Sequence, residues 1–216
     1  MRVTFPRLPD HKRAYAIVER DDGVVYQFYG SDMTGSQLPH DIRHLVVERE
    51  LGITDGIWGA IAGGVVFTSM EHVSGRRPPH AGERSRELLA SFHRPGLRAE
   101  ALANLVERVA GLEHPSDLQI MSLAAAQLTV LPAADAGVDP AEIAAAAQAL
   151  QVEAARWARL RVGEELSYDW PRAALRGVPG GSRGSSPRGG TARGRARARK
   201  PRIVRSYRKR KGRGPA

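Results

Sequence analysis

Histidines and carboxylates crowd into one short segment, LPHDIRHLVVERELG, where His40, His44 and Glu48 follow one another at intervals of four. On an α-helix that spacing puts all three on one face, about 40° apart at roughly 100° per residue. Two imidazoles one turn apart can each direct a nitrogen at a single metal ion, which is how HExxH holds zinc in metallohydrolases. The pattern here is HDxxH. Asp41 stands where the general-base glutamate would be and is one methylene shorter, so its reach toward a metal-bound water is reduced. Asp41 and Glu48 are the candidate catalytic carboxylates, and His40 and His44 the candidate ligands of a divalent metal such as zinc. Glu48 lies about 12 Å along the helix axis from His40 at roughly 1.5 Å per residue, too far to share one ion with it. The ligand sets that remain are His40 with His44, or His44 with Glu48.

The same residues support a structural reading, which is the first expectation. In it, His44 and Glu48 form a buried hydrogen-bonded pair tying the helix to its neighbours, with His40 near the helix start. A metal-dependent hydrolase is the alternative. The chain has no cysteine, so thiolate ligands, thiol nucleophiles and disulfides are excluded and any metal must use His and carboxylate groups. Further ligands would come from His72, His80 or His93, with Glu71 beside the first. Residues 71–83, EHVSGRRPPHAGE, are polar and turn-rich, a loop able to fold over a site. Arg76 and Arg77 within it form a candidate anion-binding pair, since guanidinium groups favour carboxylate and phosphate. GAIAGG lacks the lysine and hydroxyl of a phosphate loop, and no GxSxG elbow is present.

The elements expected to position these residues make an α+β domain over residues 1–171. Residues 13–19 and 24–29 are β-branched and aromatic runs joined through Asp22-Gly23, a hairpin signature. Helical patterns follow at 39–51, 55–67, 83–92, 99–110, 117–130 after a Ser116 cap, and 141–161 after Asp139-Pro140. Residues 164–170 alternate and read as a closing strand. A small antiparallel sheet of two or three strands, the hairpin plus that last strand, covered by about six helices, is the expected architecture. Residues 57–67, IWGAIAGGVVF, are about half the length needed to span a bilayer and hold three glycines. They read as a buried helix packed closely through Gly59, Gly63 and Gly64. No membrane association is expected, and since MRVTFPRLPDHKR does not have the form of a secretory signal, the expected location is the cytoplasm.

The net charge of +10 is unevenly placed. Sixteen of the 33 Lys and Arg lie from Arg172 onward in a segment without Asp or Glu, leaving 17 basic against 23 acidic groups before it, a net −6. The expected domain is therefore acidic, and the basic pI belongs to residues 172–216. That Arg/Gly/Pro/Ser-rich stretch has too few large apolar residues to offset the entropy of ordering and reads as a disordered tail. Arg193, Arg195, Arg197, Arg199, Lys200, Arg208, Lys209, Arg210 and Lys211 are its candidate contacts to nucleic acid or another polyanion. Tyr207 alone could stack on a base. The bland alternatives are a solvated extension, or the product of a shifted reading frame in GC-rich DNA.

The segment LPHDIRHLVVERELGITDGIWGAIAGGVVF resembles a family of small proteins from GC-rich bacteria that share a PHD..H..VE..LG...G.WG pattern. The likeness covers roughly residues 13–92, with weaker agreement at WARLRVGEELSYDWP. The family carries no assigned activity. The resemblance implies that Pro39, His40, Asp41, His44, Glu48, Gly56, Trp58 and Gly59 belong to one shared feature.

For the tail, counterion release predicts RNA or DNA binding that is indifferent to base sequence and weakens steeply with salt. A filter-binding titration of the full chain against a chain ending at 171 checks this. The truncated chain should lose the binding, and unchanged affinity would refute it.

Overall fold

Two strands, residues 2–6 and 70–74, enlarge the sheet beyond the expected hairpin and closing strand. The structure, a computed structural model, describes residues 1–10, 12–30 and 38–171; the tail candidates lie outside them. In chain order it runs β1 (Arg2–Pro6), β2 (Ala16–Glu19), β3 (Val25–Phe28), α1 (His40–Glu50), α2 (Ile57–Gly63), β4 (Met70–Ser74), α3 (Ala81–Ser91), α4 (His93–Ala110), α5 (Asp117–Gln127), α6 (Pro140–Arg159) and β5 (Glu165–Asp169). The fold is α+β, with a five-stranded antiparallel sheet in the order β4-β3-β2-β1-β5.

Period-2 alternation makes the sheet one-sided. Tyr168, Val3, Val18 and Tyr26 stand opposite one another in successive strands, and all are buried. The neighbouring row Ser167, Thr4, Ile17 and Gln27 faces the other way and is only half-buried. The expected hairpin forms at β2 and β3. Gly23 adopts φ 79° in its turn, where the Arg20 N–H donates to the Val24 carbonyl at 3.0 Å. β1 was not expected, because five residues ending in proline give a weak strand signal. It occupies an inner position, between β2 and β5. β4 corrects the loop reading of 71–83: residues 71–74 pair with β3, and only the remainder is loop and helix start.

The helices cover the apolar face. α1 is in contact with α2, α4 and α6, and seven of its residues are buried, three of them ionisable: Asp41, His44 and Glu48. α4 begins at His93, six residues earlier than expected, because Pro95 falls in the first turn, where its missing N–H costs nothing. α5 opens on a capping box between Ser116 and Gln119, and α6 on the Asp139 side chain with Pro140 behind it, as the residue types imply. α2 is shorter than the expected 55–67, since Gly64 at φ 118° ends it. No helix among the described residues is long and apolar enough to cross a membrane.

Of the three glycines in this apolar run, Gly59 alone serves close packing: a Cβ there would overlap the Thr54 carbonyl, whereas Gly63 faces open space. Gly59→Ala is expected to destabilise the fold by about 1–3 kcal/mol, because backbone cannot yield as a side chain can. Gly63→Ala should be neutral or stabilising by up to about 1 kcal/mol through helix propensity. Paired thermal melts check this, and equal effects at the two positions would refute it.

Candidate metal centre

α1 opens at His40, with Pro39 as the N-cap residue whose carbonyl accepts the Ile42 N–H at 3.0 Å. This start places His40 and His44 one turn apart, with ring centroids 4.5 Å from each other. α4 packs alongside and contributes the residue that completes the site, Glu100. Its Oε2 lies 2.9 Å from His44 Nε2 and 3.7 Å from His40 Nε2. One ligand atom from each of His40, His44 and Glu100 lies within 4.8 Å of the other two, a group that could hold a metal ion. The His44 side chain is 0 % exposed while those of His40 and Glu100 are 28 % and 43 % exposed, so the site has a buried floor and a side open to solvent.

The other Glu100 oxygen is held from behind. Oε1 accepts from the Asn104 amide at 3.0 Å and lies 3.8 Å from the Arg43 guanidinium, which also pairs with Glu107. Glu100 therefore presents one oxygen to the imidazoles. Its carboxyl is depressed to about 2, chiefly by the His44 hydrogen bond against an opposing burial effect. Burial disfavours a charged His44, but the Glu100 hydrogen bond and the negative charge of Glu48 outweigh it and raise the imidazole above its ordinary value. At 3.7 Å from His44 Nδ1, Glu48 acts on the ring as a charge rather than as a hydrogen-bond partner.

That distance corrects the expected His44–Glu48 hydrogen bond. Glu48 spends its carboxylate elsewhere, accepting the backbone N–H groups of Ile57 at 2.8 Å and Trp58 at 3.0 Å. It caps α2, whose N-cap residue Gly56 has no side chain for the purpose. A Cβ on Gly56 would collide with the Glu48 carboxylate. Trp58 continues the connection: its indole N–H donates to the Asp41 carbonyl at 3.0 Å, and its ring meets Phe5 and Phe28 edge-on. Asp41 is buried, with Oδ1 3.9 Å from His40 Nδ1 and the Gly30 backbone against its carboxylate. Pro39 caps α1, which carries His40, Asp41, His44 and Glu48; Glu48 reaches Gly56 and Trp58 reaches Asp41, while a Cβ on Gly59 would meet Thr54 instead.

The remaining candidates lie apart from this group. His72 stands in β4 with Nε2 2.9 Å from the Gly75 carbonyl and its ring against Tyr26. His80 Nδ1 pairs with Glu83 at 2.9 Å, and His93 is the first residue of α4. Neither these three nor Glu71 joins a three-ligand group among the described residues. Arg76 and Arg77 are exposed, and the Arg77 guanidinium lies 5.8 Å from the Tyr26 ring centroid, on the β3 side of the sheet. Sequence reasoning missed Glu100. Its signal is the polar series Glu100, Asn104 and Glu107, spaced four and three residues apart along one edge of α4.

The two shifts give metal-free protein a pH signature. His44, raised above the ordinary 6.5, contributes stability that is complete below that value and lost as pH rises through the folded-state value. Glu100, lowered from 4.5 to about 2, contributes stability present above 4.5 and lost as pH falls toward 2. The pair's contribution is therefore greatest between about 4.5 and 6.5. Chemical denaturation of chelator-treated protein across pH should show Glu100→Gln flattening both limbs, and parallel profiles would refute the coupling. No protein-family model, no curated protein and no solved structure matches the chain.

Proposed function

We propose that this protein binds one divalent transition-metal ion of the zinc type through His40, His44 and Glu100, and that the ion activates water for hydrolysis. The observation that carries the reading is the convergence of three ligand atoms from two helices within 4.8 Å. Bonds of about 2.0–2.1 Å to a tetrahedral ion put neighbouring ligand atoms roughly 3.3 Å apart. The separations of Glu100 Oε2 from the two Nε2 atoms, 2.9 and 3.7 Å, bracket that figure. Two imidazoles and one carboxylate form a three-ligand set of the kind that leaves a fourth position for water in catalytic zinc sites, where the ion lowers the water's pKa to about 7. The exposed side of the site, formed by His40 and Glu100, is where a substrate would enter.

Purified protein dialysed against zinc should retain about one equivalent by elemental analysis. Zinc at about 100 times its Kd should stabilise the fold by about 2.7 kcal/mol. His44→Ala and Glu100→Gln should lose both effects. Full zinc retention by both variants, or none by the unaltered protein, would overturn the reading.

The 2.9 Å His44–Glu100 bond favours a second reading, in which the pair simply ties α1 to α4. Under it, Glu100→Gln lowers stability by about 1 kcal/mol while zinc leaves the melting temperature unchanged.

A further inference from the structure

α5 has the composition of a core helix but lies at the surface. It packs against α4 and α6, and Ile120 and Ala124, with Leu128 and Leu131 just beyond, are buried. Its outer face is apolar as well: Leu118 is 80 % exposed, Met121 42 % and Val130 61 %, with Ser122, Ala125 and Thr129 exposed between them. Residues 118–134 contain no Asp, Glu, Lys, Arg or His. A helix apolar on all sides is ordinarily covered on all sides. Beside the C-terminal half of α5 lies a hollow of about 380 Å³, lined by Met121, Ala125, Leu128, Thr129, Leu131 and Ala136. Its N-terminal end carries the protruding Leu118, so one surface holds both a projection and a depression.

We infer that this face is the contact through which two copies of the chain form an antiparallel, two-fold symmetric dimer. With the axis midway between Ser122 and Ala125, Leu118 lies about 8 Å along the helix on one side, opposite Leu128 and Thr129 of the second copy, about as far on the other. Each copy then gives its Leu118 to the other's hollow, the reciprocal contact that a two-fold interface requires. Ser122 and Ala125 are small, so the helices can approach closely where they cross. Charge sets the direction. Asp117 and Asp135 flank the uncharged stretch, and Asp135 is held by Arg94 at 2.6 Å with Arg98 nearby. Antiparallel pairing brings Asp117 of each copy toward the Arg94 and Arg98 end of the other, whereas parallel pairing sets Asp117 against Asp117. A partner surface lined with charge would lose water here and meet no opposite charge, so the face suits a second copy of itself. One helix and its flanking turn cover less than the roughly 800 Å² per partner of a standard stable interface, which places the dimer in the micromolar range.

Sedimentation velocity of the full chain, at salt high enough to screen residues 172–216, should show monomer passing to dimer between about 1 and 100 µM. Leu118→Glu and Ala125→Arg change exposed positions and should keep the fold while weakening the dimer by at least about 10-fold, since each buries an unpaired charge in the contact. Val73→Glu, at a 54 % exposed position of β4, should dimerise as the unaltered chain does, which separates this face from general apolar adhesion. The lack of cysteine allows a check of direction. In a mixture of Asp117→Cys and Val130→Cys chains, a short bismaleimide should link unlike chains, because these positions pair across the axis. Monomer at every concentration, or a dimer that survives both α5 substitutions, would overturn the proposal. Linking of Asp117→Cys chains to one another would overturn the antiparallel arrangement.

Discussion

Glu48 carries the constraint on which the helical layer depends. It is 1 % exposed, and a carboxylate taken that far from water costs several kcal/mol unless its oxygens are satisfied. The Ile57 and Trp58 N–H groups satisfy them, and the partial positive charge at the N-terminus of α2 adds to the attraction. One residue thereby joins two helices, and through Trp58, whose ring contacts Phe5 and Phe28, it also connects α1 to the sheet. Gly56 is required because the capping group arrives from another helix and fills the place of a side chain.

Around this cap, α1 departs from the usual pattern of a surface helix. It buries Ile42, Leu45, Val46 and Val47 together with Asp41, His44 and Glu48, so it has no conventional polar face. Polar groups that break local rules inside an otherwise apolar core are where function is to be sought. The neighbouring turn of α4 is small-sided, with Ala99, Ala101 and Ala103 flanking Glu100 and Leu102, and the polar seam between the two helices reaches solvent at His40, Glu100 and Glu107.

Local signals account for much of what was legible. The i to i+4 histidines, the Asp-Gly hairpin, the Ser116 box and the Asp139-Pro140 start all state their geometry within a few residues, and all four are present. What could not be read depends on distant partners. Glu100 meets His44 across 56 positions in sequence, and nothing near either residue specifies the other. Glu48 suits an ion pair with His44 by spacing alone; its role as a cap follows from α2 lacking a cap of its own, which becomes evident only when α2 is known to begin at Ile57. β1 ends in proline and β4 carries polar residues with four of its five positions exposed, and both are strands because of the neighbours they pair with.

The inner position of β1 has a consequence for how the chain is made. β1 pairs on one side with β2, which follows it closely, and on the other with β5, where Val3 stands opposite Tyr168. A ribosome building this chain from its N-terminus therefore releases β1 with one edge open until nearly the whole domain has emerged. Unsatisfied strand edges recruit other strands, and pairing between such distant segments is slow to form. The nascent chain consequently carries an adhesive edge through most of its synthesis, and in crowded translation that interval is when self-association and chaperone capture compete with correct closure.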